Sequence, residues 1–311
     1  MISSFFSKTK PINYLVLSLF LLVFYISNFF LTQDGNSNIF FLTVVLAVIL
    51  SQTITLQEIV RLRKITNITT YAMLFFVLLC MAIPKVIYYK EVVFCNLFLI
   101  LAINSLLSLN SLKRVKQKIF DASLWICVAS IFDPLALLFL FVVFLAVYIY
   151  GTKEYKNWLV PFVAVTVFSI LLSTFLVVTK NLAFFQNHYT INLEDSFAKS
   201  FYENFSIKPF IYIAVMLCLI IVVFIKQSYQ GVGRIVHLRM LLVYFLISLL
   251  IFIAQTSLVN NYMTLLYSFF PAAIFATNFL ETVKRKRIKE WVLVACVLFP
   301  FVLLFISLIK R

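Results

Sequence analysis

Long apolar runs separated by short polar connections fill this chain, and eleven stand out: 13–32, 38–57, 68–86, 92–110, 119–132, 135–150, 158–178, 209–225, 240–258, 262–280 and 290–308. A helix needs about 20 apolar residues to cross a hydrocarbon core. Nine of the runs are close to that length. The adjacent pair 119–132 and 135–150 falls short, so it either spans or re-enters the membrane as a hairpin; every later connection keeps its side in both cases. The pattern predicts an all-α integral membrane protein, a polytopic helix bundle of about eleven transmembrane segments. Residues 1–311 form one membrane domain with no room for a sizeable water-soluble one.

The stretch 179–208 is the long exception among the connections. Within it Leu193, Phe197, Phe201 and Phe205 recur every fourth residue, a spacing that lines one helix face. Asn192 stands where an N-cap belongs, and Asp195, Lys199 and Glu203 form opposite-charge pairs four apart. An amphipathic helix near 191–205, flat on the outer surface, is the expected result.

Charge sets the orientation. Nineteen of the 26 Lys and Arg residues fall in alternate connections, beginning with Lys8 and Lys10 and ending with the run Lys284, Arg285, Lys286, Arg287 and Lys289. The other seven are Lys85, Lys90, Lys180, Lys199, Lys208, Lys310 and Arg311. By the positive-inside rule the N-terminus is cytoplasmic and the C-terminus is outside. A net charge of +15 in a soluble chain would point to nucleic acid; here the orientation rule accounts for it, and no nucleic-acid partner is expected. The run at 284–287 reads chiefly as a topology determinant, with attraction to anionic headgroups as the other reading. Trp158 and Trp291 each open a segment beside a basic connection, as interfacial indoles do.

The segments themselves are chemically plain. All five cysteines (Cys80, Cys95, Cys127, Cys218 and Cys296) lie within apolar runs and read as packing residues. The four glycines lie in connections, there is no G-x-x-x-G, and the helices are expected to pack through Phe, Leu and Ile. Pro271 and Pro300 are expected to kink their segments locally. Asn28, Asn96, Asn104, Gln255 and Asn278 are the buried polar candidates, with interhelical hydrogen bonding as their default role. The segment interiors hold no Lys or Arg, which lowers the case for an ion-coupled carrier.

No P-loop, H-E-x-x-H, G-x-S-x-G or strand-to-helix glycine motif occurs. His237 is read as solvated in a cytoplasmic loop. His188 stands beside Tyr189 in the long outer connection; neither histidine has ligand partners at metal spacing. No cofactor is expected. What remains is a group of outer-face carboxylates. Asp34 sits in T-Q-D-G-N, Asp133 in the tight D-P turn, and Glu194 and Asp195 on the expected surface helix. Carboxylates at a membrane interface suit general-base work on a hydroxyl, although Asp before Pro is also ordinary turn chemistry.

From M-I-S-S-F-F-S-K-T-K-P-I-N onward the chain resembles a family of bacterial polytopic inner-membrane proteins with no assigned activity. More distantly its layout is similar to the GT-C superfamily of polyprenyl-phosphate-dependent membrane glycosyltransferases. Asp34 matches that superfamily's first-loop carboxylate, 119–132 and 135–150 its pair of short helices, and 191–205 an outer surface helix. The chain departs from it in a first outer loop of about five residues and in lacking a paired D-D or D-E.

The resemblance implies an envelope-biogenesis protein of the inner membrane that handles a polyprenyl-linked or other lipid-linked sugar at the outer face. Asp34 and Asp133 would be catalytic. Lys85, Lys90, Lys180, His188, Glu194 and Asp195 would bind substrate. A non-catalytic subunit with a membrane-protein partner, and a transporter of a small solute or lipid, are the alternatives; membrane lipids are partners under all three.

Overall fold

The computed structural model describes residues 5–7, 9–32, 39–87, 89–150, 154–181, 183–189, 207–227, 232–259 and 263–309. Within these, the side chains at 28–32, 39, 42, 85, 87, 186–187, 207–208, 227, 232, 256–259 and 302–309 are left aside. Among the described residues the regular structure is entirely helical. The α-helices are α1 (Pro11–Thr32), α2 (Ile39–Arg63), α3 (Tyr71–Ala82), α4 (Lys90–Leu107), α5 (Val115–Ala129), α6 (Leu140–Tyr150), α7 (Lys156–Val178), α8 (Ala183–Tyr189), α9 (Ile207–Gln227), α10 (Val232–Val259), α11 (Leu266–Thr282) and α12 (Lys286–Ile309). Short 3₁₀ turns at Ser108–Ser111, Pro134–Phe139 and Met263–Leu265 lead into α5, α6 and α11. Each of the eleven apolar runs is helical over most of its length.

Among the described residues six helices are long and apolar enough to cross a membrane: Thr43–Arg63, Lys90–Ser111, Lys156–Val178, Pro209–Lys226, Gly233–Gln255 and Met263–Thr282. Pro11–Ser27, Tyr71–Ala82 and Pro134–Tyr150 are apolar but shorter. The protein is an all-helical bundle of membrane-protein character.

Helix α11 is the axis of the bundle. Its span is 94% buried, against 22% for each of the spans in α7 and α9, and it packs on α3, α4, α9 and α10. The reason is visible in its composition: Ser268, Ala272 and Ala276 recur every fourth residue, Ala273 and Thr277 repeat the spacing, and all are buried. Small residues four apart let backbones approach closely in a medium that supplies no hydrophobic drive between helices. This ladder adds to the expected packing through Phe, Leu and Ile, which fill most of the core. Phe269, Phe270 and Phe275 fill the flanks of a small-residue ladder. Pro271 lies inside the unbroken helix and removes one rung, freeing the carbonyl of Tyr267. Pro300 likewise lies within α12.

The outer layer is built on different terms. Helix α7 presents Leu159, Phe162, Leu171 and Phe175 outward and packs its other side on α5 and α6. Scarce glycine also shapes the helix ends. Helices α2 and α7 close on left-handed residues, Lys64 (φ 51) and Lys180 (φ 54). In each, the next amide reaches back five residues, Ile65 to Val60 (3.3 Å) and Asn181 to Leu176 (3.0 Å). Lysine there gives up glycine's freedom but places a cation against the helix dipole.

Polar ties hold register between apolar surfaces. Asn96 Nδ2 donates to Gln52 Oε1 at 3.0 Å, and Gln52 Nε2 donates to the Val93 carbonyl at 2.7 Å, joining α2 to α4 in full burial. Gln52→Leu is expected to lower stability by about 1 kcal/mol because the Asn96 amide is left without a partner. The check is the melting temperature of the detergent-purified protein, with Gln52→Leu/Asn96→Leu recovering most of the loss.

Candidate functional site

The strongest concentration of polar chemistry among the sequence candidates is at Asp133. Helix α5 ends at Ala129, and the amides of Phe132 and Asp133 both turn back to the Ala129 carbonyl (3.0 and 3.2 Å). Phe132 stacks on Phe94 and Phe98 of α4, at 5.6 and 5.8 Å between centroids, which fixes the turn against its neighbour. Asp133 then takes extended backbone geometry and caps the following turn. Its Oδ1 accepts from the Leu135 amide at 3.1 Å, with Pro134 in the first position. This is ordinary N-cap chemistry, as the D-P dipeptide foretells.

The tertiary contacts go further. Gln255 Nε2, near the end of α10, donates to the same Oδ1 at 2.9 Å, and the Tyr267 hydroxyl, in the first turn of α11, donates to Oδ2 at 2.8 Å. The carboxyl is 4% exposed. Burial, the largest influence, raises its pKa above the ordinary aspartate value. The hydrogen bonds from Tyr267, Leu135 and Gln255, and the nearby His188, oppose that rise. The Cys95 thiol lies beside the same Tyr267–Asp133 pair.

Helix α8 adds the second ionisable group. His188 Nε2 lies 2.9 Å from the Ser130 carbonyl, which can only accept, so Nε2 carries the proton and Nδ1 remains available. Phe184 stacks on the imidazole at 4.8 Å. The Tyr189 hydroxyl lies 3.1 Å from Ser130 Oγ. One turn of chain, 130–133, thus gathers a buried carboxyl, an oriented imidazole and two phenols.

The structure brings Asp133 and His188 together and leaves two of the lysines apart. Lys90 is exposed at the start of α4 with its ammonium 5.2 Å from the centre of the Phe41 ring. Lys180 is the exposed left-handed residue after α7. Lys85 lies in the 3₁₀ turn Pro84–Ile87, its side chain outside the description. Asp34, Glu194 and Asp195, with the surface helix near 191–205, lie outside the described residues. Tyr267 was not legible as a partner: a tyrosine in an apolar run carries no sequence signal for a contact 134 residues away. Gln255 stood out only as an amide among apolar neighbours.

A second polar centre occupies the opposite ends of α10 and α11. Arg234 and Gln255 are separated along α10 by about 30 Å of helix. Arg234 Nη2 pairs with Glu281 Oε2 at 2.9 Å and donates to Asn278 Oδ1 at 3.1 Å, while its Nε donates to the Ile65 carbonyl at 2.6 Å. Glu281 also accepts from the Asn67 amide through both oxygens, at 3.0 and 3.1 Å. These charges neutralise one another and staple the connection after α2 to the central helix.

His237 corrects the sequence reading. Helix α10 begins eight residues before the apolar run, at Val232, and carries His237 into the interior at 3% exposure. The basic connection is shorter than composition implies because Arg234, His237 and Arg239 share turns with apolar residues.

No significant match to the chain exists among protein-family models, curated proteins or solved structures. Function therefore rests on the residues themselves.

Proposed function

We propose that the protein is a multi-pass protein of the bacterial inner membrane, with its eleven segments crossing from a cytoplasmic N-terminus to a periplasmic C-terminus. In this reading it acts in envelope biogenesis on a lipid-linked sugar at the outer face, with a GT-C-like layout. The observation that carries the reading is the meeting of Asp133 and His188 on the turn 130–133, at the end of the bundle that charge distribution assigns to the outside. Asp133 accepts the proton of an acceptor hydroxyl while that oxygen bonds to the anomeric carbon and the bond to the polyprenyl phosphate breaks. His188 orients the acceptor through Nδ1, Asp34 is the second carboxylate, and Lys85, Lys90 and Lys180 attract the lipid phosphate as point charges.

One observation favours a second reading. Three donors already occupy the Asp133 carboxylate, as befits a structural tie in a non-catalytic subunit of an envelope assembly. A deletion strain separates the two. Polyprenyl-linked glycolipids are quantified after re-expression of wild type, Asp133→Asn or Asp34→Asn at equal protein levels. A lipid-linked sugar that accumulates in the deletion, clears with wild type and persists with Asp133→Asn is the expected result. Full rescue by both variants removes the catalytic reading.

A further inference from the structure

At the positively charged end of the bundle, Lys118 and His237 lie within electrostatic reach of Arg63, and among the described residues none of the three is paired with a carboxylate. Arg63 ends α2, Lys118 lies in the first turn of α5, and His237 lies in the second turn of α10. The imidazole is 3% exposed, and neither ring nitrogen has a hydrogen-bond partner. The Leu107 carbonyl is near enough to act on the ring but not in hydrogen-bonding geometry.

Arg63 Nη2 donates to Asn104 Oδ1 at 3.0 Å, while its Nε is buried and unpaired. Lys118 Nζ donates to the Ser108 carbonyl at 2.7 Å and to Ser111 Oγ at 2.6 Å. The guanidinium lies within electrostatic reach of both the imidazole and the ammonium. Among the described residues no acid forms an ion pair with any of the three. Glu154 is taken by Lys116 and Glu281 by Arg234, and Asp121, one turn along α5 from Lys118, is exposed and makes no ion pair among the described residues.

Buried polar nitrogens beside an uncompensated guanidinium are costly, and the cost disappears when an anion with several acceptor oxygens enters. We propose that Arg63, Lys118 and His237 bind a phosphate group at the cytoplasmic end of the bundle. Arg63 and Lys118 are partly buried and His237 is buried behind them in this reading, so the phosphate enters past the two cations. Two phosphate oxygens take the free Nε and a neighbouring nitrogen of the guanidinium. The ammonium supplies a point charge, and the imidazole donates to a third oxygen. The phosphate belongs either to the headgroup of an anionic lipid in the adjoining leaflet or to a soluble phosphate ester. The site is independent of the outer-face reading, since it lies at the other end of the bundle.

The test uses the full-length protein in nanodiscs of zwitterionic lipid. Inorganic phosphate is titrated by calorimetry in one arm. In the other, phosphatidic acid is included in the discs and retained lipid is counted by native mass spectrometry. Saturable binding is expected in at least one arm; phosphate binding points to a soluble ester, and retention of phosphatidic acid alone points to a headgroup. Lys118→Gln and Arg63→Gln are each expected to weaken it by about tenfold or more, and His237→Gln to weaken it in the same arm. Arg61→Gln, an exposed cation two residues from Arg63, should change it by less than about twofold. No saturable binding in either arm overturns the proposal, as does an equal loss from Arg61→Gln, which marks diffuse attraction to charge. Each variant's melting curve is recorded in the same discs, and binding is compared well below its midpoint, which separates lost binding from lost fold.

Discussion

Arg234→Met is expected to destabilise the protein by about 3 kcal/mol, because it breaks a buried ion pair. The substitution keeps the volume of the stem but removes the only cation paired with Glu281 among the described residues, whose side chain is 6% exposed. Among the described residues the carboxylate is left with the Asn67 amide and the Thr69 hydroxyl as donors, and Asn278 Oδ1 and the Ile65 carbonyl each lose a donor. Arg234→Met/Glu281→Gln should be more stable than Arg234→Met alone, because a neutral amide accepts from Asn67 without a stranded charge. Melting curves of the four proteins in one detergent decide the matter. If the two single losses simply add, the pair contributes no coupling and the staple is made by Asn278 and Ile65 alone.

The second large effect is at the opposite end. Asp133→Ala is expected to destabilise by about 3 kcal/mol, as one buried and two partly buried donors from three parts of the chain lose their acceptor at once. Leu135 N–H, Gln255 and Tyr267 all converge there. Asp133→Asn should cost only about 1 kcal/mol: asparagine is as good an N-cap, its oxygen still accepts from Leu135 and Gln255, and the Tyr267 hydroxyl can turn to accept from the new amide. The pair of variants therefore separates structure from chemistry. If Asn is as damaging as Ala in thermal melting, the charge itself holds the turn, and Asp133→Asn is no longer a clean probe of catalysis.

Much of the helix pattern was legible because period and length are local properties. All eleven apolar runs became helices, and the D-P dipeptide was readable as a turn, its capping role being added by the structure. The boundaries drifted where charge and apolar character share a helix face. Composition placed His237 in a solvated loop, yet α10 starts at Val232 and buries it, because polar residues at one helix end are shielded by neighbouring helices that no local window contains. The small-residue ladder of Ser268, Ala272 and Ala276 contains no glycine, so the absence of G-x-x-x-G does not reveal it. Of the site, Asp133, His188 and Gln255 were nameable as types of residue; their partners Tyr267 and Ser130 were not.

The sequence by itself determined that this is an all-helical protein of apolar segments with its cations on alternate connections, since hydropathy and charge act residue by residue against the bilayer. Only the tertiary structure decided which polar residues are neutralised and which are left unsatisfied. It paired Arg234 with Glu281 across 47 residues and Tyr267 with Asp133 across 134, and it left Arg63 and His237 with open nitrogens. Hydrogen bonding and desolvation depend on distances between helices, and those distances are set by how small and large side chains interlock around α11.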